Sequence, residues 1–146
     1  MRLLRVSATS DPVALGDARR KVRDAMMKAG LRADAVEAME VAVGEVLSNV
    51  YRHAYRSDIG PVSVACSRYL SCVSVLIIDS GHAMVAPVVP RVLPPRANVG
   101  GRGLYLVGRF ADAVRIRVNR TGYGLTVRLA KRLPSAEPLT DSGQVA

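Results

Sequence analysis

Hydrophobic positions recur along the 146-residue chain with two different periods, and the switches between them mark out its elements. The stretch "LLRVSA" (3–8) has the alternating character of an opening or edge strand. From Ser10 the period lengthens to that of a helix. Val13, Leu15, Ala18, Val22, Ala25, Met26 and Ala29 form one stripe, with arginines and lysines on the other side. Ser10 or Asp11 can cap this helix, Pro12 suits its first turn and Gly30 supplies its stop. A second helix is predicted from Ala33 or Asp34 to about Tyr55, with Val36, Met39, Val43, Val46, Leu47 and Val50 as its buried stripe.

After the turn "RSDIGP" (56–61), two strand-like runs follow, "VSVACSRY" (62–69) and "CVSVLIID" (72–79). Their short connection predicts a hairpin. Residues 80–100 hold four of the eight prolines and read as an irregular loop. A loop of that length inside a compact domain points to function. "GGRGLYLVGRFAD" (100–112) reads as a short helix opened by glycines, and "AVRIRVN" (113–119) with "LTVRLAKRL" (125–133) as a last hairpin. The polar tail 134–146 is expected to be disordered. The order β-α-α-β-β-loop-α-β-β predicts one α+β domain over residues 1–133. It is a two-layer sandwich with a mixed, mostly antiparallel sheet and helices packed on one face.

Composition sharpens this picture in three places. Hydrophobic residues make up 49% of the chain, with no Trp and one Phe, so the core is aliphatic. No apolar run is long enough to span a bilayer, and the polar N-terminus does not fit a signal peptide, which predicts a cytoplasmic protein. Cys66 and Cys72 fit neither a zinc spacing nor a disulfide framework and are expected to be buried structural thiols. The net charge of +9 suits nucleic acid, an acidic protein partner or a polyphosphate ligand. Without aromatic residues among the basic ones, direct nucleic-acid binding is disfavoured.

Candidate chemistry begins with "GEVLSNVYRH" (44–53). Glu45, Asn49 and His53 recur every fourth residue and share one helix face, which looks at either solvent or a ligand. A carboxylate and a carboxamide one turn apart suit a hard cation completed by water and phosphate oxygens. "GGRG" (100–103) opens a helix, where backbone N–H groups and the helix dipole attract an anion. No Lys-Ser/Thr pair follows it, so it is not a P-loop. Asp79 ends an aliphatic strand before Ser80 and Gly81, where it can cap the turn or accept from a purine amine.

In this order, Glu45-x3-Asn49-x3-His53, Asp79-Ser-Gly81 and Gly101-Arg-Gly103-Leu-Tyr-Leu resemble the N, G1 and G2 boxes of the GHKL (Bergerat-fold) ATPases. Within that superfamily the small size and "NVYRHAY" are most similar to anti-sigma-factor serine kinases of the RsbW/SpoIIAB type. The resemblance covers about residues 5–131. It implies ATP and Mg²⁺ as ligands, with Glu45 as general base, Asn49 on the metal and Asp79 on the adenine amine. Gly81 would line the adenine pocket, while Gly101, Arg102, Gly103 and Leu104 would surround the phosphates under an ATP lid of about residues 82–100. His53 is expected to stand behind the site. The implied partners are a sigma factor and a STAS-domain anti-sigma-factor antagonist, with a homodimer as the assembly. The implied function is an ATP-dependent serine/threonine protein kinase that also sequesters the sigma factor. The alternative is an ATP- or ADP-binding partner switch without phosphotransfer. One departure stands out: the family's D-x-G-x-G is "DSGHA" here, with Ala83 at the second glycine. A positive φ at that position would strain Ala83 by about 1 kcal/mol or more.

Overall fold

The computed structural model describes residues 1–95 and 102–135, and over these the expected element order holds. It comprises β1 (Arg2–Thr9), α1 (Pro12–Lys28), α2 (Ala33–Asn49), β2 (Pro61–Arg68), β3 (Cys72–Asp79), α3 (Arg102–Phe110), β4 (Ala113–Val118) and β5 (Leu125–Arg132). The sheet order is β1-β2-β3-β5-β4, and all four pairings are antiparallel, the purely antiparallel end of the expected arrangement. Gly100, Gly101 and the end of the expected lid lie outside the described residues, as does the tail from residue 136.

Local chemistry fixes the ends of α1. The Asp11 carboxylate accepts from the Ala14 N–H at 3.0 Å, satisfying one of the open donors of the first turn. Ser10, the other candidate cap, is buried and instead accepts from the Gly60 N–H at 3.1 Å. At the far end Gly30 adopts φ 95°, the left-handed conformation that stops a helix at least cost to glycine. The predicted stripe is buried from Leu15 onward, whereas Val13 in the first turn is 81% exposed.

The second helix departs from expectation at its end. The α-helix stops at Asn49, and Val50–Ala54 form a wider π-helical turn rather than a continuous run to Tyr55. Such turns concentrate at functional sites because they shift the side chains that follow them. Arg56 then takes φ 57° to bring the chain towards β2.

α1 and α2 pack on the sheet face formed by Val64, Cys66, Val75, Ile77 and Leu129, each essentially solvent-free. The core is aliphatic, with Met26 and Met39 as its bulkiest buried side chains. Among the described residues, no helix is long and apolar enough to cross a membrane.

The cysteines stand on adjacent strands but are not cross-strand partners: Cys66 pairs with Val75, and Cys72 with Arg132. Both are free thiols, Cys66 buried and Cys72 only half-buried, so the expectation of two buried thiols holds for Cys66 alone. Burial pushes the Cys66 thiol up to about 11, which keeps it protonated and inert at neutral pH. With a thiol-specific disulfide reagent near pH 8, the folded protein is expected to release one equivalent of chromophore, from Cys72. Denaturant should expose the second, and two rapid equivalents from the native state would contradict the buried position of Cys66.

Candidate functional site

A cavity of about 350 Å³ opens between the end of α2 and the β3, β4 and β5 strands. Asn49 and His53 line it from one side, and Asp79 closes its floor. Leu104, Ile116, Leu125 and Val127 supply apolar walls, while Ala83, Val85 and Pro87 enter from the loop after β3. Segments far apart in sequence therefore meet around one largely apolar chamber with a few convergent polar groups, the usual character of a small-molecule site. His53 lines the chamber directly, in contrast to the expected place behind it.

Asp79 is 4% exposed. Its Oδ1 accepts from the Gly81 N–H at 2.9 Å and the Leu125 N–H at 3.4 Å. No bond among the described residues falls on Oδ2, and no enclosed side-chain polar atom there lacks a partner. That second oxygen therefore retains access to the chamber that Asp79 lines, as a free hydrogen-bond acceptor.

Three residues that sequence reasoning passed over hold Asp79 in place. The Asn119 side-chain amide donates to the Asp79 carbonyl at 2.7 Å, and Thr126 Oγ1 donates to Asn119 Oδ1 at 2.7 Å. Tyr55 receives the Ser80 N–H at 2.8 Å on its hydroxyl and donates the hydroxyl proton to the Pro61 carbonyl. An Asn directly ahead of the "RTGYG" turn was the available signal for the first of these; Tyr55 left none.

Gly81 earns its glycine through contact rather than dihedral angle, since its φ is not positive. A Cβ there would overlap the Ala54 carbonyl, the same carbonyl that accepts from the His82 N–H at 2.8 Å. The π turn thus presents Ala54 directly to the chain leaving β3. Arg56 is the one non-glycine residue with positive φ among the described residues, so Ala83 carries none of the strain feared for it. The Ala83 carbonyl accepts from the Gly124 N–H at 2.9 Å, tying the loop to the last hairpin.

Glu45 is half-buried one turn before Asn49 and faces α3. A methyl group added at Gly103 would sit 2.5 Å from Glu45 Oε2, so the carboxylate lies against the first turn of that helix. Arg102 donates to the Pro94 carbonyl at 3.0 Å and so tethers the loop. Gly101 lies outside the described residues. Among the described residues no cluster of three or more His, Cys, Asp or Glu could hold a metal. The donors present, one carboxamide with one carboxylate beside it, fit a Mg²⁺ ion that takes most of its shell from water and phosphate.

The sequence model of the family described as the histidine kinase-like ATPase domain matches residues 8–131. Among curated proteins, the chain is 27% identical over 139 residues to the serine-protein kinase RsbW of Bacillus licheniformis, covering 89% of this chain and 85% of that one. It is 23% identical over 152 residues to the serine-protein kinase RsbW of Oceanobacillus iheyensis, covering 98% and 94%. Among solved structures, the RsbU and RsbW domains of Rv1364c from Mycobacterium tuberculosis share the fold at a TM-score of 0.65 and 20% identity. That likeness covers 89% of this chain and 32% of the longer Rv1364c chain. The histidine kinase domain of a blue-light activated kinase from Erythrobacter litoralis follows at a TM-score of 0.51 and 18% identity, covering 83% and 60%.

Two substitutions test this geometry. Gly81→Ala is expected to displace the Ala54 contact and weaken ADP binding by about tenfold or more, a close-packing cost of one to a few kcal/mol. Calorimetric titration reads it, and unchanged affinity would detach Gly81 from the site. Tyr55→Phe removes a hydroxyl that donates and accepts at the base of β3. Burial, and secondarily the Asp79 charge, hold the Tyr55 phenol above its ordinary value of 10.0. The stability this group contributes is therefore present below pH ~10 and lost as pH rises through its folded-state value. Denaturant titrations at neutral and strongly alkaline pH should show the variant losing about 1–2 kcal/mol at neutral pH and less at alkaline pH.

Proposed function

The chain belongs to the histidine kinase-like ATPase domain family, and on that premise we propose that it is an ATP-dependent serine/threonine protein kinase and anti-sigma factor. It phosphorylates a serine of a STAS-type anti-sigma-factor antagonist and sequesters a sigma factor in the cytoplasm, acting as a homodimer. The observation that carries this reading is the single chamber where Asn49, Asp79 and Leu104 meet, one residue from each of three separated motifs. The two serine-protein kinases that match most of the chain supply the reaction class.

In this mechanism the apolar walls of the chamber hold the adenine ring, and Asp79 accepts the hydrogen of its exocyclic amine. Gly81 leaves the ring room against the Ala54 backbone. Asn49 presents its side-chain oxygen to the Mg²⁺ ion that accompanies the nucleotide. Held there, the ion would supply charge neutralisation to the phosphates during transfer. Glu45 takes the proton of the attacking serine hydroxyl, and the serine oxygen forms the new bond to the γ-phosphorus as the bond from the γ-phosphorus to the ADP oxygen breaks. The first turn of α3, with Gly103 and Leu104, cradles the phosphates, a role that Gly101 just ahead of it in the sequence shares, and Arg102 secures the lid through the Pro94 carbonyl. Holding the serine in line with the phosphate is the larger share of the catalysis.

Glu45→Ala is expected to bind ATP within a few-fold of the natural protein while losing phosphotransfer by about 100-fold or more, the typical share of a general base. Asn49→Ala should lose the Mg²⁺ dependence of ATP binding. Calorimetry and phosphoserine detection on a candidate STAS antagonist read both. A natural protein that binds ATP but forms no phosphoserine on any antagonist tried would overturn the kinase reading in favour of a nucleotide-dependent partner switch.

A further inference from the structure

The five strands carry a single carboxylate, Asp79, which is buried on the helix-covered side. The opposite face of the sheet therefore has no negative side chain, and among the described residues no helix covers it. Among the exposed arginines it holds are these four: Arg5, Arg115, Arg117 and Arg128. Strand register sets Arg5, Ala65, Leu76, Arg128 and Arg115 in one row across the whole sheet. A second row runs Ser7, Ser63, Ile78, Thr126 and Arg117.

Arg115 and Arg128 are direct cross-strand neighbours, and Arg117 follows on the same face. None of the four arginines has an ion-pair partner among the described residues. Like charges directly opposite each other destabilise a sheet, and an anionic partner would remove that repulsion. The floor beside them is built from small residues and the half-buried Leu76 and Ile78. A shallow groove of about 570 Å³ runs along it over β3, β5 and β4.

We propose that this face docks an acidic amphipathic helix of a partner protein. Small side chains let a helix approach the sheet closely, its apolar stripe would meet Leu76 and Ile78, and its Asp and Glu residues would reach the arginines. A second copy of the chain would bring the same arginines against these and repel. Nucleic acid is disfavoured because none of the five strands carries an aromatic residue on which bases could stack. The groove and the nucleotide chamber lie on opposite sides of β5. Val127 lines the chamber, while Thr126 and Arg128 beside it line the groove, so both sites can be occupied together.

The test uses a fluorescently labelled helical peptide with a Leu/Ala stripe flanked by Glu, titrated with the full chain at neutral pH. Binding is expected, with amide shifts centred on Ser63, Ala65 and Leu76. The double variant Arg115→Glu, Arg128→Glu should weaken it about tenfold or more. The same variant should bind ADP as the natural protein does, which certifies its fold, and Arg20→Glu on α1 should leave peptide binding unchanged. Failure of the peptide to bind, or shifts confined to α1 and α2, would overturn the proposal. So would tighter binding of single-stranded DNA that Arg115 and Arg128 control, or self-association that depends on them. Because ADP binding is read separately, failure here leaves the kinase reading intact.

Discussion

The end of β3 is where the fold and the candidate site become one problem. Asp79 is a carboxylate withdrawn from water, and a carboxylate so placed is tolerable only when its oxygens are met by donors. The Gly81 and Leu125 N–H groups meet Oδ1, and Asn119 meets the backbone carbonyl. These partners come from the loop after β3 and from the last hairpin. The constraint therefore pins three separate segments to one point and leaves the second carboxylate oxygen open to the chamber.

The π turn at Val50–Ala54 completes that arrangement from the helical layer. A regular helix would continue its hydrogen bonding through Ala54, whereas here the Ala54 carbonyl is directed at His82 and packed against Gly81. Asn49 sits at the last regular position before the change of pitch. The helical and sheet layers thus meet through backbone at this end of the molecule, where few side chains intervene. Tyr55 spans the remaining gap between Pro61 and Ser80.

Much of this was legible in the sequence. Periodicity located the strands and the two long helices, because the apolar stripes of α1 and α2 and the alternation in β2 are strong local signals, while the glycines ahead of α3 marked that shorter helix. Glu45, Asn49, Asp79, Gly81, Gly103 and Leu104 could be picked out because their spacing resembles a known set of motifs. The change of helical pitch after Asn49 was not legible, since "VYRHA" has no glycine or proline to mark it. Nor was the support that Asn119, Thr126 and Tyr55 give to Asp79, because those contacts exist only after distant strands pair. Concern over Ala83 rested on a backbone dihedral that sequence does not specify, and the chain takes an ordinary φ there.

The strand order also sets when the site can exist. β5 lies between β3 and β4, although it is the last strand in the sequence. It contributes Leu125 and Val127 to the chamber and the N–H that completes the partners of Asp79. A chain still emerging from the ribosome therefore holds both helices and the β2–β3 hairpin before it holds the chamber. A ligand of that chamber can stabilise the finished fold by mass action but cannot guide its early steps. Loss of the final strand would remove the binding site and leave β4 with no neighbour in the sheet.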